Sequence, residues 1–399
     1  MEELLFLAHR IPYPPDKGDK IRSWNFLRHL TEHHRVFLGC FVDDARDWEF
    51  VDKLRDLCEE CCFIRLQPPL GKLRALRGLL DGRPLTLPYY FDAKLDRWVR
   101  SVLARPRLTR VFVYCSAMAH YIPAEIRRSR HCVADLVDVD SEKWFDYARR
   151  MSAARAWLWG REGRKLQLVE QEIAGSFRST LVATAAELEL LSRVAPDMGS
   201  RLAFVPNGVD SDYFSSERSY EVPPAMAGTP IVFTGAMDYW PNADAAAYFA
   251  REILPMVRQR LPDARFLIVG ANPGPELSAL GDGNAVVVTG RVPDVRPYIA
   301  HAKAVVAPLR VARGVQNKVL EAMAMARPVI ASTDAATGID AEIGAELLLA
   351  DGPENFAEAI YKVVTSEEGE RIGRRARERV IASYSWSTSL ALLDGFLHA

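Results

Sequence analysis

The stretch Pro308-Leu309-Arg310-Val311-Ala312-Arg313-Gly314-Val315-Gln316-Asn317-Lys318-Val319-Leu320-Glu321 has the residue types and the spacing to hold an anion. The β-rich run Ala304–Ala307 ends, a loop turns at Gly314, and an amphipathic helical pattern opens soon after. Backbone N–H groups left unpaired at a helix start, together with the positive end of the helix dipole, form a site for a phosphate group. Lys318 adds a cation there. Glu321 follows three residues later on the same face, where a carboxylate accepts hydrogen bonds from two vicinal hydroxyls such as those of ribose. Diphosphate and ribose would then be read together. Spacing alone leaves a second reading open, a plain amphipathic helix whose Lys318 and Glu321 form a solvated i,i+3 pair.

Other segments carry weaker signals. In Pro12-Tyr13-Pro14-Pro15-Asp16-Lys17-Gly18-Asp19, Gly18 permits close approach of backbone to a ligand, or is a turn glycine. Asp19 beside it can accept a proton or hydrogen bond from a hydroxyl. Residues 71–83 interleave leucines with bases, and Leu73, Leu76 and Leu80 fall on one helical face. That pattern suits an interfacial helix lying on an anionic leaflet, and equally a solvated basic face over a buried leucine stripe. Cys58-x-x-Cys61-Cys62 has half the spacing of a zinc site, but no second pair or His cluster accompanies it. The cysteines read as small buried apolar residues, and no metal is expected.

Elements that position these residues follow from short apolar runs alternating with amphipathic stretches, the pattern of strands feeding crossover helices in a parallel sheet. Leu4–Ala8, Val36–Phe41, Cys62–Leu66, Arg110–Cys115, Cys132–Val137, Thr180–Ala183 and Arg201–Val205 fit one sheet. Ile231–Thr234, Arg265–Val269, Ala285–Thr289, Ala304–Ala307 and Pro328–Ala331 fit a second. The class is α/β, with two Rossmann-like doubly wound domains at 1–214 and 230–375. Between them 215–229, rich in Ser, Glu, Pro and Gly, reads as a linker. The aromatics of the final stretch are too large to leave in water, so 376–399 is expected to pack back on the first domain. A length of 399 residues, 49% of them apolar and 26% charged, suits two soluble domains and excludes disordered and fibrous classes. The net charge of −1 offers no field for nucleic acid. Residues 1–210 hold 33 basic and 29 acidic side chains, and only this half can approach an anionic surface. No leader precedes Leu4 and no apolar run reaches the ~20 residues of a membrane span, so a cytoplasmic protein is expected, peripheral at most.

The 308–331 stretch, with Pro206-Asn207-Gly208-Val209-Asp210 and Phe214, resembles the family-4 glycosyltransferases of the GT-B fold. These carry a Glu-x7-Glu element ahead of a "LEAMA-x-G-x-PV" helix. More narrowly, Pro12 to Arg22 and Val137-Asp138-Val139-Asp140-Ser141-Glu142-Lys143-Trp144 look like sugar transferases found with PEP-CTERM/exosortase exopolysaccharide systems. The resemblance implies two Rossmann-like domains facing across a cleft, with a C-terminal helix crossing back. It implies a retaining hexosyltransferase that uses a nucleotide-diphosphate sugar as co-substrate, no other cofactor, and a glycan or lipid-linked acceptor.

Carried over residue by residue, Gly314 and the amides of Val315, Gln316, Asn317 and Lys318 hold the diphosphate, Val319 belongs to the same donor site, Lys318 stabilises the leaving group, and Glu321 holds the ribose. Arg313 stands where the element's first Glu belongs, and an Arg there faces a phosphate or a carboxylate-bearing sugar instead. The loop Gly235-Ala236-Met237-Asp238-Tyr239-Trp240-Pro241-Asn242 lacks the family's Arg and Lys but keeps the close backbone approach at Gly235. Its missing charge is left to Arg291, Arg310, Arg313 or Lys318; Arg291 lies in the segment near the base and has a structural reading too. Gly18 and Asp19 fall on the acceptor side, and Val137 takes the position of the family's His. Asp138 or Asp140 then orients an acceptor hydroxyl, or caps the helix that follows Ser141. Asp138-Val139-Asp140 also spells the metal-chelating D-x-D of the other large glycosyltransferase fold, a reading rejected because the phosphate helix lies in the other domain. A nucleotide-sugar epimerase and a weakly catalytic donor-binding subunit of a polysaccharide assembly complex are the alternative functions.

Overall fold

The computed structural model describes residues 1–149, 153–312 and 314–398. They form two compact units, Met1–Pro206 with Leu390–Ala399, and Asn207–Ser389. The first holds strands β1 (Glu2–Ala8), β2 (His34–Val42), β3 (Glu60–Arg65), β4 (Leu108–Tyr114), β5 (His131–Val137), β6 (Ser179–Val182) and β7 (Leu202–Phe204). They pair in parallel in the order β3-β2-β1-β4-β5-β6-β7. The second holds β8 (Thr229–Thr234), β9 (Ala264–Val269), β10 (Val286–Gly290), β11 (Ala304–Ala307), β12 (Val329–Ala331) and β13 (Leu348–Leu349), parallel in the order β10-β9-β8-β11-β12-β13. Strands covered by helices on both faces are apolar throughout rather than alternating, which is why β1, β8 and β11 are almost wholly buried. Every strand except the two-residue β13 lies on an apolar run read from the sequence.

Chain order along each sheet reverses once, between β1 and β4 and between β8 and β11. At such a reversal the connections leave toward opposite faces and open a crevice at the carboxyl ends of the strands. Both candidate sites lie on these ends.

In the first unit one buried ion pair fixes that edge. Arg22, on helix α1 (Gly18–His33), is fully buried, as is Asp135 on β5. Nε and Nη2 of Arg22 donate to the two carboxylate oxygens at 2.7 and 3.1 Å, and Nη1 donates to the Val205 carbonyl at 2.7 Å. One Asp135 oxygen also accepts the Val137 N–H. Helix, strand end and the exit of β7 are thereby tied to one guanidinium.

The C-terminal segment divides. Helix Glu368–Ser383 joins the second core through Ile372, Ala376 and Val380, as does Tyr384, whose carbonyl accepts the Val209 N–H. The last residues count with the first unit: Leu393 and Leu397 are buried, Arg110 donates to the Leu397 carbonyl, and His131 meets the Phe396 carbonyl at 2.7 Å. Within 215–229, Pro224–Met226 forms one 3-10 turn that buries Met226. No helix of the described residues is long and apolar enough to cross a membrane. All six cysteines are free.

Residues 68–80 form two short helices, Pro68–Ala75 and Arg77–Leu80. Leu73, Leu76 and Leu80 are 64%, 53% and 89% exposed, so the expected alternative of a buried leucine stripe is corrected: the leucines face water. The side turned inward carries glycine instead, as described below.

Removing one partner of a buried ion pair leaves an uncompensated charge, so Asp135→Ala is expected to lower unfolding free energy by about 3–5 kcal/mol in urea titrations. Arg22→Met in the same chain should restore much of the loss. A single variant as stable as the parent contradicts the role given to the pair.

Candidate functional site

In the second unit, the chain leaves β8 through Gly235 into helix Trp240–Tyr248, and leaves β11 through 308–316 into helix Asn317–Ala324. These are the neighbouring strands at the reversal of the sheet. Gly314 turns the loop at φ +64°, left-handed backbone that glycine adopts without a Cβ penalty. Gln316, the N-cap, gives no side-chain cap to the helix. Its carbonyl takes the N–H groups of both Val319 and Leu320, and among the described residues no backbone acceptor takes those of Asn317 and Lys318. The Asn317 side-chain oxygen is buried without a partner. Free amides at a helix start are the feature of an anion cradle, while the Asn317 oxygen, an acceptor, suits a ligand hydroxyl.

Lys318 reaches across to the first loop. Its Nζ donates to Oδ1 of Asn242 and lies 4.6 Å from the centre of the Phe233 ring. Asn242 is buried, and its Nδ2 donates to the Ala236 carbonyl at 2.9 Å, so its oxygen is held toward the lysine. A Cβ on Gly235 would stand 2.7 Å from Asn242 Nδ2 and 3.3 Å from Lys318 Nζ, which explains the glycine there. Burial drives the Lys318 pKa down to about 7, against the pull of Glu321. Burial likewise pushes Glu321 up to about 7, opposed by Lys318. A weakly charged pair of this kind gains charge when an anion arrives beside the lysine.

The other proposed cations are placed differently. Arg310 pairs with Asp244 and covers the Tyr248 ring. Arg291 is exposed just past β10, the sheet edge, with β9 between it and β8. Arg313 lies outside the described residues. Thus Gly235, Asn242, Gly314, Lys318 and Glu321 are brought to the carboxyl ends of β8 and β11, with Lys318 as a cation that reaches both loops.

In the first unit, Gly18 and Asp19 open α1, and Asp19 is enclosed by the residues that follow β1. Arg10 Nη1 lies 2.7 Å and His9 Nε2 3.4 Å from its carboxylate, while Arg10 Nε lies 2.8 Å from Asp43. Burial works against the charge on His9, but Cys115 and Asp19 outweigh it and raise its pKa to about 10. Burial would raise Asp19, yet His9 and Arg10 hold it well below the ordinary range. The ends of β4 and β5 carry Cys115 at φ +81° and Val137 at φ +70°, strained for residues with a Cβ. Asp140 accepts from Ser116 Oγ at 2.7 Å. Backbone N–H groups beside Asp138 are taken by other carboxylates: Val139 by Glu187 and Ser141 by Glu170. Burial pushes these glutamates up, to about 7 and about 8.

Two groups escaped the sequence reading. Asn242 stood inside the quoted loop, but only contact with Lys318 gives it a task. His9 and Arg10 follow directly on the apolar run of β1, a position at a strand's carboxyl end that was signal enough to consider them.

Residues 228–366 match the family model described as glycosyl transferases group 1. No curated protein matches the chain by sequence. Among solved structures the chain is similar to HepE from Anabaena in complex with UDP and glucose, at TM-score 0.69 and 15% identity, covering 100% of both chains. It is similar to sucrose-phosphate synthase from Thermosynechococcus elongatus, at TM-score 0.70 and 17% identity, covering 100% of this chain and 98% of that one. A third is WaaG, a glycosyltransferase involved in lipopolysaccharide biosynthesis, at TM-score 0.66 and 15% identity, with 98% and 99% covered. The fold is that of GT-B glycosyltransferases, with two parallel-sheet Rossmann-like domains, as expected. The second unit carries a group 1 glycosyltransferase domain, which bears out the expected transferase class.

The Lys318–Glu321 pair sets a pH signature in the free protein. Lys318, its pKa lowered by folding, gives up a proton between pH 10.5 and about 7, so stability rises with pH across that window. Glu321, its pKa raised, takes up a proton between 4.5 and about 7, so stability falls as pH rises there. The pair therefore contributes a minimum near neutrality. Thermal unfolding across this range should show the dip shrink in the double variant Lys318→Met, Glu321→Gln; an unchanged profile contradicts burial of the pair.

Proposed function

We propose that this protein is a retaining glycosyltransferase moving a sugar from a nucleotide-diphosphate sugar to a glycan or lipid-linked acceptor, in exopolysaccharide biosynthesis of the PEP-CTERM/exosortase kind. The observation that carries the reading is the helix start at 317–318, where among the described residues no backbone acceptor takes the Asn317 and Lys318 N–H groups and Asn242 holds the lysine, at the reversal of the second sheet. Support comes from the group 1 domain over 228–366 and from structural neighbours bound to UDP and to UDP-glucose. Those ligands belong to the neighbours, and the base and sugar used by this chain follow from loop contacts of its own.

In this mechanism the diphosphate lies on the amides of Gly314 through Lys318 and the ribose hydroxyls on Glu321. As the glycosidic bond breaks, negative charge grows on the leaving diphosphate, where Lys318 and the helix start stabilise it. Fixed cations and dipoles take the part a metal ion plays elsewhere, so the reading calls for none. The acceptor hydroxyl attacks on the face the diphosphate leaves, and its proton passes to a departing phosphate oxygen. Asp138 or Asp140 orients that hydroxyl, and Gly18 and Asp19 line the acceptor side. Arg313, outside the described residues, is assigned in this reading to a phosphate or an acidic sugar.

A thermal-shift panel of nucleotide sugars identifies the donor, since a ligand that binds only the folded state raises its melting point. With that donor and a saccharide acceptor, Lys318→Ala and Glu321→Ala should each reduce transfer, the lysine variant by about 10²–10³-fold in kcat. Undiminished turnover in both overturns the assignment. Donor rearranged in the absence of acceptor would identify an epimerase instead.

A further inference from the structure

The helices of 68–80 are built inside out. Gly71 is buried against Tyr89, so closely that a Cβ would stand 2.7 Å from its ring, and Gly78 is buried beneath the carbonyls of Arg83 and Pro84. On the outward side Leu70, Leu73, Leu76, Leu79 and Leu80 are all exposed, Leu80 almost fully. A soluble helix turns its leucines to the core and its small residues wherever they fall. Here the small residues are spent on the inward contact and the large apolar ones on water.

The segment is also held firmly. Arg161, on helix Ala153–Ser176, donates to the carbonyls of Gly78 and Arg83, and Arg74 donates to the Phe91 carbonyl. The exposed leucines are thus presented by a fixed platform. Lys72 and Arg77, both exposed, stand among them and carry no ion pair among the described residues. Trp157, one turn before Arg161, is 64% exposed and adds an indole of the type enriched at membrane interfaces.

We propose that this face, Leu70 to Leu80 with Lys72 and Arg77, docks the protein on an anionic lipid bilayer. Leucines enter the boundary between headgroups and acyl chains while the bases meet lipid phosphates, and both interactions are needed because neither alone holds a peripheral protein firmly. An acidic protein partner would match the bases but leave Leu80 without cover; a lipid surface takes both. The proposal goes beyond the transferase reading and stands without it, since docking needs neither donor nor acceptor.

The test is sedimentation of the full chain with vesicles, in the absence of nucleotide. Vesicles containing phosphatidylglycerol should carry the protein down, and pure phosphatidylcholine vesicles should carry little. Leu73→Ser with Leu76→Ser and Leu80→Ser, and separately Lys72→Gln with Arg77→Gln, should each weaken recovery by about tenfold or more. Because these side chains face water, both variants are expected to keep the parent's melting temperature, which is checked in parallel. Parent protein left in the supernatant, or recovery undiminished in the leucine variant, overturns the proposal. So does a parent that elutes as a dimer and a leucine variant that elutes as a monomer, since the face would then serve self-association.

Discussion

A lysine withdrawn from water must find oxygen, and in the second unit that oxygen is the side-chain carbonyl of Asn242. An amide satisfies the hydrogen bond without neutralising the charge, so the ammonium stays costly to keep and ready for an anion. Much else in that unit serves this contact. Gly235 leaves room for the amide, the Ala236 carbonyl fixes its orientation, and a Cβ on Gly270 would collide with the Gly235 carbonyl at 1.6 Å. The two loops are brought together because β8 and β11 are neighbours at the one place where chain order reverses.

The first unit settles its charges differently. Arg22 and Asp135 close on each other inside the core, and His9, Arg10, Asp19 and Asp43 close on one another at the strand ends. Each of these cations already has its carboxylate. An incoming phosphate would have to displace one, whereas a hydroxyl-rich ligand need only share hydrogen bonds. That contrast fits an anionic donor on the second unit and a saccharide on the first. It also gives the strained turns at Cys115 and Val137 a reason, since both lie where backbone must be aimed at the crevice.

Much of this was legible in the sequence because parallel strands covered on both faces write themselves as uninterrupted apolar runs. β13 escaped, being two residues long at an edge. The order strand, Gly314, Lys318 and Glu321 that the proposed cradle rests on was legible as well. Asn242 was not, because its partner lies 76 residues away and only the sheet order joins them. The leucines of 68–80 show the opposite difficulty: their periodicity was plain, but periodicity does not say which side of a helix faces inward. The answer lay with Gly71 and Gly78, small enough to let the helices sit close while the leucines stay out.

The account rests on Lys318, its pKa lowered by burial to about 7, gaining charge when a diphosphate arrives. Calorimetry at pH 8 with the nucleoside diphosphate of the donor found by thermal shift, repeated in buffers of different ionisation enthalpy, measures this directly, because the diphosphate itself is ionised there. Binding should draw about one proton onto the protein, and Lys318→Met should abolish that uptake. Nucleoside diphosphate bound with no proton uptake by the parent, or with the same uptake by the variant, would contradict the assignment.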